Sequence, residues 1–365
     1  MSQYISIMIW FGFLFVLVSM KDFKKTEVVC GQTVKRYPFW FAAAAFAPII
    51  WMAGSRGWIG DTWAYLAQYI QMPRSLSALP WYVNRIEKDK GFIVLSMIIK
   101  LFAGNDTLIY LMVLAIIQGV VIIAIFRKYS PSYLLSIFLF VASADYVSWM
   151  MNGLRQFMAV TIIFAATGLM LKKKYVALII VVLIASTMHQ SALIAIPLIL
   201  VAQGKAWNRK TLIFICVALV VITFVGQFTS ILEESLVDTQ YKNVMNDADL
   251  FADDGTNPIR AFVYSIPAIL SFVIRRKIRR LDDPIINLCT NMSIISMGLY
   301  LVSVVTSGVF IGRLPIYVSL YSYMLLPWEI DNMFKRNSRR LAYMTVAGMY
   351  LLYYYYQMHF AWGMI

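Results

Sequence analysis

Long apolar runs separated by short clusters of Lys and Arg dominate the pattern of this 365-residue chain. Many of the runs approach or reach the roughly 20 residues that an α-helix needs to cross a bilayer. The pattern therefore predicts an all-α fold, a polytopic membrane helix bundle with about 12 membrane helices. We expect residues 1–365 to form a single membrane-embedded domain with outer-face loops at 55–105 and 230–257.

Composition agrees with this class and narrows the chemistry. Hydrophobic residues make up 61% of the chain and charged residues 14%. The three cysteines and two histidines lack the spacing of a metal or haem site, so we expect no metal and no cofactor. The net charge is +14, but the basic residues punctuate the apolar runs instead of forming one patch. Nucleic acid is therefore not an expected partner.

The basic clusters indicate the orientation of the spans, because Lys and Arg concentrate in cytoplasmic loops. About two thirds of the 32 Lys and Arg residues lie in clusters at 21–36, 127–128, 172–174, 205–210, 275–280 and 335–340. With these clusters in the cytoplasm, the predicted spans are Tyr4–Met20, Pro38–Gly54, Thr107–Phe126, Tyr133–Met150, Gly153–Leu171, Thr211–Thr229, Pro258–Ile274, Ile285–Phe310, Leu314–Ile330 and Leu341–Phe360. We interpret the first run as a span and not as a cleaved signal, because it lacks a basic start and a small-residue cleavage site.

Two apolar segments do not fit a single membrane crossing, one because of its length and the other because basic clusters flank it at both ends. Residues 91–103 would make a helix of only about 20 Å, and Lys100 interrupts the segment. We interpret it as a re-entrant or interfacial helix on the outer face. Residues 175–203 lie between two basic clusters, which favours a hairpin of two short helices, Tyr175–Thr187 and Ser191–Gln203, over one crossing. Short half-helices at membrane depth often line a site.

This topology puts the unusual polar residues on the outer face. One continuous helix would place Asn152, Arg155 and Gln156, spaced i, i+3 and i+4, on a common face. The other residues expected there are Arg56, Asp61, Tyr65, His189 and Arg313. Arginines around one cavity suit a dianionic head group, because guanidinium pairs bidentately with phosphate oxygens. Asp61 and His189 are the groups available for proton transfer.

Each of these residues also has a simpler explanation. Arg56 could anchor the interface beside Trp58, and Asp61 could cap a helix that starts at Thr62. Arg155 could snorkel to lipid head groups. His189 could be a turn residue with its hydrogen bonds made within the turn, and Arg313 could be a charge that only influences the orientation of its span.

Short motifs carry a resemblance to a known family. They are Arg56 with Gly60-Asp61-Thr62 and Tyr65, the segment Glu87 to Gly91-Phe92, Gly153-Leu154-Arg155-Gln156 with Ala159, His189-Gln190-Ser191-Ala192, and Arg313 with Tyr317. In this order they resemble the EpsG family of exopolysaccharide polymerases, which is similar in role to the Wzy-type polymerases. The match extends from about residue 40 to about residue 330. The family often has a Pro before the Gly of the Glu87 segment, whereas Lys88-Asp89-Lys90 intervene here.

The resemblance implies a metal-independent membrane glycosyltransferase in the bacterial cytoplasmic (inner) membrane. It would join oligosaccharide repeat units carried on polyprenyl pyrophosphate, such as undecaprenyl pyrophosphate, by inverting transfer at a site facing the periplasm or exterior. Its expected partners are these lipid-linked substrates, membrane lipids, and the flippase and chain-length regulator proteins of the same pathway.

The resemblance also assigns expected roles to residues. Arg56, Arg155 and Arg313 would bind the pyrophosphate, and Asp61 or His189 would accept the proton of the acceptor hydroxyl. Sugar-binding or orienting roles fall to Tyr65, Glu87, Asn152, Gln156 and Tyr317.

Other functions use similar features. A polysaccharide ligase or acyltransferase would use the same cavity with a different acceptor, and a scaffold would tolerate loss of its arginines. A lipid-linked oligosaccharide transporter would need sites open to both faces, although the cytoplasmic half of the predicted spans contains almost no charge.

Overall fold

The computed structural model describes residues 3–20, 24–29, 32–57, 60–227, 255–308 and 310–365. These residues are almost entirely helical, which confirms the all-α class. The chain divides into two compact units, one formed by Met1–Leu193 with Ile330–Ile365 and the other by Ile194–Glu329. The single-domain assignment stays a prediction.

The first unit carries the residues on which the site depends. Its elements are α1 (Gln3–Met20), β1 (Lys25–Val29), β2 (Gln32–Arg36), α2 (Phe39–Gly54), α3 (Thr62–Gln71), α4 (Leu79–Asn84), α5 (Lys90–Ala103), α6 (Thr107–Tyr129), α7 (Tyr133–Ala142), a π-helical segment (Tyr146–Asn152), α8 (Leu154–Ala165), α9 (Thr167–Leu171) and α10 (Tyr175–Met188). Single 3₁₀ turns occur at Leu76–Ala78 and Gln190–Ile194.

The second unit contains α11 (Ala195–Ala202), α12 (Arg209–Thr223), α13 (Pro258–Val273), α14 (Arg275–Leu281), α15 (Pro284–Val304), a 3₁₀ turn at Ile311–Arg313, α16 (Ile316–Ser319) and most of α17 (Ser322–Met333). The chain ends in α18 (Arg336–Tyr356) and a π-helical turn (Gln357–Ala361), both of the first unit. Only 255–257 of the predicted outer loop 230–257 lies within the described residues.

A two-stranded antiparallel hairpin is the exception to the helical class, and the sequence did not predict it. Its register pairs Lys25 with Arg36. Glu27 accepts hydrogen bonds from Arg36 (3.3 Å) and from Arg127 (3.1 Å). This carboxylate therefore links residues of two of the basic clusters. The side of the membrane on which they lie stays a prediction.

Two predicted spans are not single helices. The span predicted over Tyr133–Met150 is not one continuous helix, because α7 ends at Ala142 and the π-helical segment that follows is bent from it by 76°. The two pieces together remain long and apolar enough for a broken span, so the span stays a prediction. Ala144, in this break, has a positive φ of 59°. The expected helix over Gly153–Leu171 is interrupted at Ala166, between α8 and α9.

Helix length confirms the membrane class only in part. Among the described residues, α6 and α15 are long and apolar enough to cross a bilayer, and two bent pairs could raise the number to four. The other apolar helices, including α1, α2 and α10, are shorter. The figure of about 12 membrane helices therefore stays a prediction.

The helices predicted within the two short apolar segments, 91–103 and 175–203, are confirmed. The helix predicted at 91–103 is α5, and its re-entrant or interfacial position stays a prediction. The segment 175–203 is split at His189, whose backbone is extended (φ −159°, ψ 123°). Two short helices therefore form, α10 and then the turn with α11, whereas their return to one side of the membrane stays a prediction.

One buried carboxylate departs from the expectation of an almost charge-free cytoplasmic half. Glu329, in α17, is fully buried. Its two carboxylate oxygens have no hydrogen-bond partner in the described part of the chain. A transporter that uses a buried charge in this half therefore stays an alternative.

Candidate functional site

Arg155 lies in the first turn of α8, immediately after a break in the chain. The π-helical segment ends at Asn152, Gly153 leaves helical geometry (φ −82°, ψ 46°), and α8 begins at Leu154. The expectation that Asn152, Arg155 and Gln156 share one helical face is therefore wrong. Asn152 contacts the residue before α3, Arg155 contacts α3 and the residue before α5, and Gln156 contacts the turn after α10.

The Arg155 guanidinium is held between α3 and the start of α5. Its Nη1 donates to Asp89 Oδ2 (3.2 Å) and its Nη2 donates to Gln68 Oε1 (2.8 Å). The rings of Tyr65 and Phe92 lie 5.3 and 5.8 Å from its Cζ, within the range of cation–π attraction. Its Nε is buried and has no hydrogen-bond partner among the described residues. The cation is thus positioned by one carboxylate, one amide and two aromatic rings.

Arg56 is a second buried cation in the same unit. It is only 7% exposed. Its Nε donates to Thr62 Oγ1 (3.0 Å) and its Nη1 donates to the Ala53 carbonyl. Its Nη2 is buried without a hydrogen-bond partner in the described segments. Burial lowers the pKa of Arg56 to about 10, so the side chain remains charged near neutral pH.

Both arginines lie near the same two tyrosines. Arg56 interacts electrostatically with Tyr110 and Tyr65. Arg155 contacts the Tyr65 ring and also interacts with Tyr110. Asp89 is the only carboxylate hydrogen-bonded to either guanidinium among the described residues. We call Arg56, Tyr65, Asp89, Tyr110 and Arg155 the arginine cluster, and its formal charge is positive.

Helix packing fixes the base of the arginine cluster. Tyr69 and Tyr110 stack with ring centroids 3.9 Å apart, which joins α3 to α6. The Ser96 hydroxyl of α5 lies 3.1 Å from the Tyr110 hydroxyl. Lys100 is buried, and its Nζ donates to the carbonyls of Tyr69 (2.6 Å) and Ile70 (2.8 Å). A cation at the C-terminal end of α3 satisfies carbonyls that the helix leaves unpaired.

Asp61 immediately precedes α3 and is an exposed residue. The helix starts at Thr62 as expected, but the Asp61 side chain makes no capping hydrogen bond, so the capping explanation is wrong. Its backbone N–H donates to Asn152 Oδ1 (3.1 Å). Gly60 makes this contact possible, because its φ is +51° and a Cβ there would lie 2.3 Å from Asn152 Oδ1.

His189 occupies the break after α10 and is linked to α8. Its Nδ1 lies 2.7 Å from Ser191 Oγ and accepts a hydrogen bond from the Ser191 backbone N–H (3.3 Å). Gln156 Nε2 donates to the same Ser191 hydroxyl (3.4 Å). Because Nδ1 accepts, Nε2 carries the proton in the neutral ring.

A close helix contact brings the end of α10 to the start of α5. A Cβ on Gly91 would lie 2.1 Å from Thr187 Oγ1, so only glycine fits. Asp89 is two residues before Gly91, and His189 is two residues after Thr187. His189 and the Arg155–Asp89 pair therefore belong to one region of the first unit.

Three more of the expected residues lie outside the arginine cluster as defined above. Glu87 is exposed, and no contact links it to Arg155 in the described chain. Arg313, which is exposed, and Tyr317, which is 4% exposed, belong to the second unit. In that unit Gly312 packs against Thr256, where a Cβ would lie 2.4 Å from Oγ1. The roles of Glu87, Arg313 and Tyr317 stay predictions.

No role was predicted from the sequence for Asp89, Gln68 or Ser191. Gln68 could have been found, because Asp61, Tyr65 and Gln68 follow the i, i+4, i+7 spacing of one helical face. Ser191 belongs to the His189 motif. Asp89 gave no such signal, since its left-handed backbone (φ 56°) and its approach to Arg155 depend on the fold.

The comparison with known families bears on this arrangement. A sequence model described as the EpsG family matches residues 39–363. The chain belongs to the EpsG family. The resemblance inferred from the motifs is thereby confirmed, and the chain is a polysaccharide polymerase-like membrane protein. No curated protein and no solved structure matches it.

The EpsG match covers the whole arginine cluster together with Asp61, Asn152 and His189, whereas α1 precedes it. The EpsG-family chain has no group of three His, Cys, Asp or Glu side chains arranged to hold a metal within the described ranges. Guanidinium groups can bind anions, and the roles of Asp61 and His189 in proton transfer stay predictions.

Proposed function

We propose that this EpsG-family chain is an inverting glycosyltransferase that polymerises oligosaccharide repeat units carried on polyprenyl pyrophosphate, on the outer face of the cytoplasmic membrane. The observation that supports it best is the convergence of Arg56 and Arg155 on Tyr65 and Tyr110. Two guanidiniums opposed by one carboxylate suit a pyrophosphate, which carries more than one negative charge.

The arginines would bind the leaving group of the donor. Arg56 Nη2 and Arg155 Nε are buried donors without partners among the described residues. A buried unpaired donor is costly, and a phosphate oxygen would satisfy it. Charge that develops on the pyrophosphate as the glycosidic bond breaks is stabilised by guanidiniums that are already in place, which is often the largest catalytic contribution.

Asp61 would act as the general base. Asp61 is an exposed residue, and its backbone N–H donates to Asn152 Oδ1. The acceptor hydroxyl oxygen attacks the anomeric carbon of the donor as the bond from that carbon to the pyrophosphate oxygen breaks. The acceptor proton passes to Asp61, and the bonding electron pair leaves with the polyprenyl pyrophosphate.

His189 would orient the substrate in this scheme. The Ser191 backbone N–H donates to Nδ1, which holds the ring in the break after α10. We keep Asp61 as the base because a carboxylate near arginines stays ionised.

The test is the glycan made by single variants. Arg155→Lys, Arg56→Lys, Asp61→Asn and His189→Ala should leave well-expressed protein while single repeat units accumulate on lipid. Arg85→Lys is the matched control, because Arg85 is exposed in the same outer segment and stacks on Trp81, 3.9 Å from its ring. Long polymer of normal length from both arginine variants would overturn the proposal.

The proposed orientation has its own measurement. Lys205 is 70% exposed, so a Lys205→Cys variant should react with an impermeant thiol reagent only from the cytoplasmic side. The neighbouring Ala206 is fully buried and would give no labelling from either side. Reaction at position 205 from outside would refute the hairpin topology. A ligase would be recognised by transfer to an acceptor that is not a lipid-linked repeat unit.

A further inference from the structure

Two basic clusters that lie far apart in the sequence meet in the second unit. Arg279 of α14 donates from Nε to the Ala206 carbonyl (3.3 Å) and from Nη2 to the Trp207 carbonyl (2.7 Å). Lys205 Nζ lies 3.0 Å from Oδ2 of Asp282, the residue that follows α14. The clusters at 205–210 and 275–280 therefore form one continuous surface.

The cations that these contacts bring together are partly or fully exposed. We call them the basic surface, which consists of Lys205, Arg209, Arg275, Arg276, Lys277 and Arg280. The α14 helix alone carries five Lys and Arg residues in its seven positions. Arg275 and Arg279 are spaced i, i+4, as are Arg276 and Arg280, and like charges at this spacing repel each other on a helix. Anions bound along α14 would relieve this repulsion.

The carboxylates next to α14 are engaged elsewhere. Asp282 pairs with Lys205 and accepts a hydrogen bond from Asn287 Nδ2 (2.8 Å). Asp283 caps α15, because its Oδ1 accepts from the backbone N–H groups of Ile285 (2.9 Å) and Ile286 (3.2 Å). Two carboxylates with these partners do not neutralise five cations on one short helix, so the basic surface keeps a large positive charge.

Exposed apolar side chains adjoin the basic surface. Phe272 and Val273, at the end of α13, are 48% and 64% exposed. The Arg275 guanidinium lies over the Phe272 ring, with Cζ 4.2 Å from its centroid. Because α14 is bent from α13 by 71°, the cations extend sideways from the point where the apolar surface of this predicted span ends. A phospholipid has the same order of parts, acyl chains followed by a charged head group.

We propose that the basic surface binds the head groups of anionic phospholipids, with the acyl chains against Phe272 and Val273. This site is separate from the arginine cluster, which belongs to the first unit, and it does not rest on the proposed function. Clusters of Lys and Arg directly beyond a membrane helix attract anionic lipid. The apolar neighbours favour lipid over an acidic protein or a nucleic acid, because a soluble polyanion would leave Phe272 and Val273 uncovered.

The experiment uses the full chain in nanodiscs of phosphatidylcholine with a minority of phosphatidylglycerol, both with the same acyl chains. A photo-crosslinking residue, p-benzoylphenylalanine, replaces Val273, and mass spectrometry gives the ratio of the two lipids crosslinked to it. The control position is Val217 of α12, which is 54% exposed and follows Arg209 by eight residues, about 12 Å along the helix. Leu281, which is 41% exposed, provides a second position if the Val273 variant does not fold.

We expect phosphatidylglycerol to be enriched over its bulk fraction at position 273 by at least about five-fold, the attraction of a single cation near an anionic lipid surface. Position 217 should show the bulk ratio. The double variant Arg276→Gln with Arg280→Gln should bring the ratio at position 273 close to the bulk value, and Arg280→Gln alone, a milder change, should lower it part of the way.

The matched control is Lys172→Gln with Lys174→Gln, which removes two charges from an exposed basic cluster of the first unit and should leave the enrichment unchanged. A bulk lipid ratio at both 273 and 281 in folded protein would overturn the proposal. So would an enrichment that survives the loss of Arg276 and Arg280. Equal losses in the two double variants would also overturn it, because they would show that the overall charge of the chain attracts the lipid and that the basic surface does not.

Discussion

Asp89 should control how strongly Arg155 binds an anion. In the structure the Asp89 carboxylate accepts a hydrogen bond from Arg155 Nη1 at 3.2 Å. Asp89→Asn keeps the shape and an acceptor oxygen but removes the negative charge that competes with a substrate phosphate. Asp89→Ala removes both, so Arg155 loses its anchor. The two variants should therefore change binding in opposite directions.

The magnitude follows from the geometry. A phosphate oxygen hydrogen-bonded to Arg155 would lie about 6 Å from the Asp89 carboxylate, the sum of the 3.2 Å contact and one ordinary hydrogen bond. Two unit charges at that distance interact by roughly 3 kcal/mol at an effective dielectric constant of about 20. Solvent screening reduces this, because the Arg155 side chain is 27% exposed. Relief of about 1–3 kcal/mol corresponds to about five-fold to one-hundred-fold tighter binding.

Binding of undecaprenyl diphosphate to purified protein is the assay, with thermal unfolding measured in parallel. Asp89→Asn should bind more tightly at a stability cost of about 1 kcal/mol, since a charge-assisted hydrogen bond becomes a neutral one. Asp89→Ala should bind more weakly. Glu87→Gln removes the same charge from an exposed position two residues away, which separates the contact from a general charge effect.

Two results would refute the reasoning. If Asp89→Asn and Asp89→Ala weaken binding equally, Asp89 contacts the substrate itself instead of competing with it. If neither variant alters binding, Arg155 does not receive the pyrophosphate. In an Arg155→Gln background the competition for the guanidinium no longer exists, so the gain from Asp89→Asn should shrink.

Three further predictions test other parts of the structure. Binding of undecaprenyl diphosphate to Arg56→Lys should weaken at a lower pH than binding to the unmodified chain, because the burial that lowers the pKa of Arg56 to about 10 also acts on Lys, whose ordinary pKa is about 10.4; an unchanged pH dependence of binding would mean that Arg56 does not carry the charge that binding needs. Gly60→Ala should lower the free energy of unfolding by at least about 1–2 kcal/mol, because Gly60 has a φ of +51° and an added Cβ would overlap Asn152. Gly57→Ala should be neutral, because nothing lies within 4 Å of an added Cβ there. Equal thermal stability of the two variants would contradict the close contact between Gly60 and Asn152. Glu329→Gln should leave glycan length unchanged in a polymerase, and a selective loss of lipid-linked oligosaccharide export in that variant would favour a transporter.

The sequence by itself determined the class and the family. Long apolar runs have few soluble alternatives, because exposed hydrocarbon on that scale requires lipid. Short motifs around Arg56, Arg155 and His189 sufficed to indicate the EpsG family. The two helices on either side of His189 were also predictable, since two separate apolar runs flank that residue.

Only the tertiary structure decided which side chains meet. The break at Gly153 separates Asn152 from Arg155, and helical periodicity cannot anticipate a break that packing imposes. Asp89 itself has a left-handed backbone, and Gly91, two residues later, packs against α10. Both features set the position from which Asp89 contacts Arg155. Such contacts depend on distances between elements far apart in the chain, and the spacing of residues along one segment carries no information about them. The positions of both arginines against Tyr65 and Tyr110 therefore come from the fold.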